Sequence, residues 1–494
     1  MASRAHWVAV GAGWTGDAAT CPRCGSILRT DGPSWKCGCG LARPEPDSWL
    51  DGELLHTGQS VTALDMRLPG RFNIRNAALA VAAAATLGVS PQRAATAMRE
   101  IDAVAGRFAV IHRGQQELRL LLAKNPAGWA ETLSVLEEAR ALLVVINARE
   151  ADGRDTSWLW DVPFEQLPRR AIVASGERAA DLGVRLSYAG LDHDTPARSA
   201  RRAGPAAGRQ GRRGGQLHRI PPAAASPRPG GGNVVTNEST ILIGLLLPEV
   251  LGTYSDAGNA AVLAARLRWR GIPAEILAIN GDCTPPATCD VYLLGGGENT
   301  AQLFAADWLR RHTQLRHALS SRAQTLAVCA GLQILGQSIR DRSGHDHPGL
   351  GVLDVTTAPG RRRAVGEIVS TCAIPGVGQL IGFENHLGVT TVGAGTSCLA
   401  TVLTGTGNGT RDPAGRRTEG VLTDRVTATY LHGPILARNP ALADHILRNV
   451  VGADLAPIEL PDQAALRRTY LGPLASRRGI HLRRRIPKPL SRQG

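Results

Sequence analysis

Between Pro196 and Gly232 the chain carries eight arginines and no acidic residue, set among proline, glycine and alanine. A stretch of this composition cannot bury enough apolar surface to offset the entropy of ordering it, so it divides the chain. On either side, short apolar runs alternate with helix-forming runs, the pattern of separate α/β units. With 494 residues, 43% of them hydrophobic and 20% charged, the chain is globular and long enough for about three domains.

The formal charge of +14 resembles a nucleic-acid footprint, but its placement argues otherwise. The eight arginines of the divider and the nine basic residues from Arg467 to Gly494 together exceed the total, so the remainder is slightly acidic. Both basic runs read as solvated disorder, and no specific nucleic-acid partner is expected. The longest apolar stretch, Ala77–Val89, is shorter than the ~20 residues of a membrane helix. Residues 1–10 lack the layout of a signal peptide. Nine cysteines without a regular framework fit a reducing cytoplasm.

The organisation expected is five segments: 1–105, with a four-cysteine ribbon at 21–39; an α/β unit at 106–194; a linker at 195–235; a second α/β unit at 236–455; and a basic tail at 456–494. In the first α/β unit Leu118–Ala123 and Ala141–Asn147 read as buried strands around a helix at Ala130–Arg140, which implies parallel pairing. The linker is either genuine or the product of a shifted reading frame in GC-rich DNA.

Two short knuckles, Cys21-Pro-Arg-Cys24-Gly and Cys37-Gly-Cys39-Gly, stand thirteen residues apart. Four thiolates on two turns can surround a tetrahedral structural zinc. The second knuckle is one residue shorter than the common spacing, so the alternative is a degenerate knuckle without metal. No histidine or carboxylate here completes an open catalytic site.

Leu326-Ala-Val-Cys329-Ala330-Gly331 runs from an apolar strand, through small residues, into a helix. A cysteine on such a turn is held exposed as a nucleophile; the alternative is a buried strand cysteine. Far downstream, Tyr430-Leu-His432-Gly-Pro434 supplies a base that the edge of a parallel sheet can bring to it. Between them in function, the turn Gly295-Gly296-Gly297 follows a strand and can aim amides at an oxyanion, with Ala330 as the second donor.

This set resembles the class I glutamine amidotransferases of the cobyric-acid-synthase-like branch, over about 239–451. Leu380-Ile-Gly-Phe-Glu384-Asn-His386 and Tyr430–Asn439 narrow the resemblance to the GatD branch. It implies Cys329 as nucleophile, His432 as base, and Arg363, in Arg362-Arg363-Ala-Val-Gly366-Glu367, as the residue holding L-glutamine. Pro434 stands where many relatives have Glu, so a Cys–His dyad is expected, with Glu384 or another carboxylate free to orient the imidazole.

Over residues 5–194 a second resemblance is to the Mur ligases. Leu68-Pro-Gly-Arg-Phe-Asn73-Ile-Arg-Asn76 and Gly106-Arg107-Phe108 carry it. Lys124-Asn-Pro-Ala-Gly128 and Asp152-Gly-Arg-Asp155-Thr-Ser-Trp158-Leu-Trp160-Asp161 narrow it to the MurT branch. It implies vestigial nucleotide contacts at Asn73, Asn76 and Asp155, which read otherwise as caps or turn residues. Mur ligases need a Gly-Lys-Thr/Ser phosphate loop, and none of the three lysines (36, 124, 488) follows glycine or precedes serine or threonine. Met1 is therefore expected to begin inside the central domain, and ATP with Mg2+ to serve only a complete synthetase.

Together the resemblances imply glutaminase action that feeds amidation of the D-glutamate of lipid II to D-isoglutamine, at the inner face of the plasma membrane. An intact MurT-like synthetase is the implied partner. A glutaminase serving a cobyrinate-type synthetase is a second reading; a zinc-ribbon scaffold or nucleic-acid binder is a third.

Overall fold

The computed structural model describes residues 5–11, 19–32, 34–58, 60–104, 107–136, 139–148, 153–195 and 240–477. Apart from Thr195, the expected linker lies outside the described residues, as do Gly106, Asp152 and the chain beyond 477.

The first unit contains β1 (Val8–Ala9), β2 (Arg29–Asp31), β3 (Ser34–Lys36), β4 (Ser48–Asp51), β5 (Leu54–Thr57), β6 (Ser60–Ala63), α1 (Arg71–Thr86) and α2 (Pro91–Arg99). β1-β4-β5-β6 form one sheet and β2-β3 a separate hairpin between the two knuckles. Leu55, Leu64, Ala77, Ala78 and Val81 make its small core. Ser90 caps α2 by accepting the Arg93 N–H, with Pro91 at the first helical position, as its sequence predicts.

The second unit holds β7 (Phe108–Arg113), β8 (Gln116–Leu121), α3 (Pro126–Ser134), β9 (Ala141–Val145), β10 (Ala171–Ser175) and α4 (Ala179–Tyr188). β9 and β10 pair in parallel over Val144, Ile172, Phe164, Leu182 and Leu186. The run at Leu118 is not the buried parallel strand its apolar character suggested. It forms the second arm of an antiparallel hairpin with β7, turned by Gly114 at φ 61°, and Leu118 and Leu120 are exposed. α3 also starts earlier than expected, because the Asn125 side chain accepts the Gly128 N–H and Pro126 opens the helix.

The third unit is the largest. It comprises β11 (Ile241–Leu246), α5 (Gly258–Arg268), β12 (Ala274–Ile279), β13 (Val291–Leu294), α6 (Asn299–Arg311), α7 (Thr313–Ser321), β14 (Gln324–Val328), α8 (Ala330–Leu335), β15 (Ser338–Arg340), β16 (Asp346–Pro348), β17 (Val355–Cys372), β18 (Gln379–Val392), β19 (Ala400–Thr404), β20 (Thr418–Glu419), β21 (Val421–Leu422), β22 (Val426–Thr429), α9 (Ile435–Arg438) and α10 (Pro440–Val451). The central sheet runs β12-β11-β13-β14-β22-β21, parallel except for β21. Its inner strands β13, β14 and β22 are buried on both faces, as continuous apolar runs require. A second sheet, β16-β15-β17-β19-β20 with β18 on β17, flanks it.

A final helix, α11 (Pro461–Arg477), corrects the reading of 456–494 as tail. Leu466 is buried in the core of the third unit, and Asp462 and Gln463 are buried as well. Its anchors are mainly polar, so the apolar pattern did not reveal it.

Candidate functional site

β14 delivers Cys329 to the C-terminal edge of the parallel sheet, where α8 begins. The turn is tight enough to force Cys329 to φ 52°, ψ −103°, a conformation costly for a residue with a Cβ. The Cys329 N–H is held by the Thr429 carbonyl at 2.8 Å. Gly331 allows α8 to lie on β13: a Cβ there would meet the Leu294 Cβ at 2.8 Å. This is a strand-to-helix elbow of the kind that presents nucleophiles.

His432 follows β22, the neighbour of β14, and is fully buried. Its backbone exchanges hydrogen bonds with Phe383 of β18, at 2.9 and 3.1 Å, which fixes the residue in the gap between the sheets. Its Nδ1 lies 3.1 Å from Asp256 Oδ2 and 3.2 Å from Oδ1. Burial by itself would lower the imidazole's proton affinity; the Asp256 charge and hydrogen bond, with Cys329 beside the ring, outweigh it and hold His432 well above its ordinary pKa. Among the described residues Nε2 has no hydrogen-bond partner of ordinary geometry, while Cys329 lies beside the ring.

Asp256 was not identified from the sequence. It comes from Gly252-Thr-Tyr-Ser-Asp256, the turn after β11. The one local signal is a polar, glycine-flanked turn at the same sheet edge as Cys329. Glu384, the carboxylate considered for orienting the base, is occupied elsewhere: it accepts the Thr406 and Gly407 amides and lies 3.8 Å from His386.

The glycine turn sits where expected but is divided in use. The Gly296 N–H donates to Asp256 Oδ2 at 2.8 Å, so it is not aimed at a ligand. A Cβ on Gly296 would meet His432 Cε1 at 2.8 Å, which explains glycine at this point. Arg363, on β17, donates to Asn385 Oδ1 at 2.7 Å and to the Tyr254 hydroxyl at 3.0 Å. The Tyr254 ring packs on His432 with centroids 4.5 Å apart, so Arg363 joins the cysteine–histidine centre through one aromatic side chain.

The site also touches the second unit. Ser255, at φ 57° and buried, donates its hydroxyl to Asp161 at 2.5 Å. Of the three residues linked to nucleotide, two make local contacts. Asn73 donates to the Pro69 carbonyl at the start of α1 and Asn76 is exposed. Asp155 accepts the backbone N–H and hydroxyl of Ser157, just ahead of a short helical turn.

The four ribbon cysteines converge, with sulfur atoms all within 4.8 Å of one another. Cys21 and Cys39 are 3.7 Å apart and Cys24 and Cys37 3.4 Å. Sulfurs bound to one tetrahedral zinc at about 2.3 Å stand about 3.8 Å apart, so the set fits a metal. Ile27, beside this cluster, packs on the core of the third unit.

The strand-to-helix turn at Cys329, the buried His432 and the parallel sheet fit the fold of a glutamine amidotransferase domain. The family model for CobB/CobQ-like glutamine amidotransferase domains matches residues 242–440, and that for the MurT ligase C-terminal matches 122–203. The chain is 33% identical over 227 residues to the GatD subunit of lipid II isoglutaminyl synthase of Staphylococcus aureus (strain N315), covering 44% of this chain and 89% of that one. To GatD of Streptococcus pneumoniae it is 31% identical, covering 44% and 83%. To the MurT subunit of Staphylococcus aureus (strain COL) it is 32% identical over 188 residues, covering 35% of this chain and 43% of that one. The chain therefore belongs to the GatD family of glutamine amidotransferases. It carries a MurT-like segment ahead of that domain and spans less than half the length of the MurT relatives. Among the described residues no helix is long and apolar enough to cross a membrane.

Proposed function

We propose that this protein hydrolyses L-glutamine at Cys329 and supplies the ammonia for amidation of the D-glutamate of lipid II to D-isoglutamine. The observation that carries the reading is the convergence of Cys329, His432 and Asp256 at one sheet edge, with Cys329 in a left-handed turn. The Cys329 thiol gives its proton to His432, and the sulfur attacks the side-chain amide carbon of glutamine. The tetrahedral oxyanion faces the amides of Ala330 and Gly297; Gly296 instead stabilises Asp256. On collapse, His432 protonates the leaving ammonia and a glutamyl thioester remains. Water, deprotonated by His432, then attacks the thioester; glutamate leaves and the thiol is restored.

Arg363 holds the glutamine carboxylate in this reading, with its fork giving two hydrogen bonds. Arg363→Ala is expected to raise KM about tenfold or more with a smaller change in kcat, because it removes binding common to ground and transition states. A steady-state ammonia assay checks this. A fall in kcat at unchanged KM contradicts the role.

The four cysteines hold a structural zinc. Metal analysis of the purified protein should find about one zinc per chain, and chelation should open the ribbon, because metal binding supplies its folding energy. Hydrogen exchange over 19–43 reads this out. A metal-free protein with the ribbon still protected contradicts the site.

ATP-dependent activation of the acceptor falls to an intact MurT-like synthetase rather than to this chain, since no Gly-Lys-Thr/Ser loop occurs in its sequence. Mg-ATP should not be hydrolysed by the purified protein. An ATPase rate that follows the chain through purification contradicts this. The acceptor places the work in the cytoplasm at the inner face of the plasma membrane.

A further inference from the structure

α11 lies beyond both matched regions, which end at 203 and 440. It is nevertheless wedged between the MurT-like unit and the glutaminase. On one side Asp462 accepts the Ser187 hydroxyl at 3.1 Å and stands 3.3 Å from His193. The Tyr470 hydroxyl donates to Asp181 of α4 at 3.1 Å and receives Arg178 at 2.5 Å. On the other side, Arg467 donates to the carbonyls of Arg438 and Gln379 at 3.0 and 2.7 Å. Gln463 serves both sides at once, donating to the Ala437 carbonyl at 2.7 Å and to the Tyr188 hydroxyl at 3.1 Å.

These contacts close over Arg438, which is 1% exposed. Its guanidinium donates to Glu367 Oε2 at 2.7 Å, to Thr156 at 3.3 Å and to Asp181 at 3.4 Å, and stacks over the Tyr470 ring at 4.7 Å. A buried arginine is tolerable only with its partners in place; removing one leaves an uncompensated charge. Two of its neighbours lead to the catalytic centre. Glu367 is on β17, four residues after Arg363. Gly433, next to His432, lies directly against the guanidinium: a Cβ there would meet Arg438 Nε at 2.7 Å.

We propose that α11 is a strap that fixes the MurT-like unit on the glutaminase, and that the Arg438 junction it closes positions the Arg363 strand and the His432 turn. Arg438 and Tyr470 are positioning residues, since neither reaches the substrate. The positioning half of the proposal rests on the glutaminase reading above; the strap does not.

The test compares Tyr470→Ala, Tyr470→Phe and the milder Gln463→Ala in the full chain. Hydrogen exchange of Ala179–Tyr188 and the kinetics of glutamine hydrolysis are both measured. Tyr470→Ala should raise α4 exchange and lower kcat/KM, each about tenfold, the scale of coupling between linked sites. Tyr470→Phe keeps the ring under Arg438 and should recover most of the kinetic loss. Gln463→Ala should move both readouts in the same direction by less, and carries the test if Tyr470→Ala does not fold. Unchanged α4 exchange overturns the strap. Loosened α4 with unchanged kcat and KM overturns the positioning role. A wild-type protein that does not hydrolyse glutamine instead removes the glutaminase reading, and the exchange data still decide the strap.

Discussion

Cys329→Ser is expected to stop ammonia release from glutamine, with a loss on the order of a thousandfold or more, while the protein stays folded. Serine is close in size to cysteine, so the elbow at φ 52° and the backbone bond to Thr429 persist. What changes is acidity. A thiol gives up its proton to a neighbouring imidazole readily, whereas an alcohol, with a far higher pKa, does so only in the transition state. Circular dichroism and thermal unfolding like wild type, together with absent turnover, are the expected pair of results. Wild-type turnover in the serine variant would remove Cys329 from the mechanism.

Asp256→Asn is expected to cost between about a hundred- and ten-thousandfold in kcat, with little change in KM. The carboxylate accepts from His432 Nδ1 and leaves Nε2 turned away from it, free to exchange a proton with sulfur. An amide offers a donor as well as an acceptor and permits the wrong tautomer, a defect known to be severe in hydrolytic triads. The charge matters too. Burial pulls the His432 pKa down, and Asp256 and Cys329 together pull it up past its ordinary value. In the variant the Asp256 charge is gone and burial is opposed by Cys329 alone, so the pKa should fall, visible as a downward shift of the imidazole titration by NMR.

A stability consequence follows with a definite sign. A histidine whose pKa is raised by folding adds stability that is fully present below its unfolded value, 6.5, and that is lost as pH rises through the folded one. Asp256→Asn should flatten the decline of stability with rising pH above 6.5. A variant with the wild-type pH dependence of unfolding would contradict the pairing.

The residues that were legible in the sequence are those whose chemistry needs a local signature. Cys329 announces itself because a strand, small residues and a helix must follow one another for the elbow to form. The ribbon cysteines are legible for the same reason, since a four-sulfur cage needs closely spaced pairs. Asp256 has no such signature: it meets His432 from 176 residues away, and only the strand order brings the two turns together. The expected role of Gly296 failed for a related reason, because its amide is captured by that unseen carboxylate.

Elements held by polar contacts were the least legible. α11 buries Asp462 and Gln463 against other polar groups, and its arginines merged with the basic run that follows. Conversely, Leu118–Leu121 looked like a core strand, yet it lies in an exposed hairpin. Apolar content marks a strand but does not say which face, or whether either face, is covered.

Labelling with an electrophilic glutamine analogue, followed by peptide mapping, tests the central claim most directly. The account predicts one label per chain, on Cys329, prevented by excess glutamine and absent from Cys329→Ser. Label on Cys283 or Cys289, or label at Cys329 that glutamine does not prevent, would contradict it.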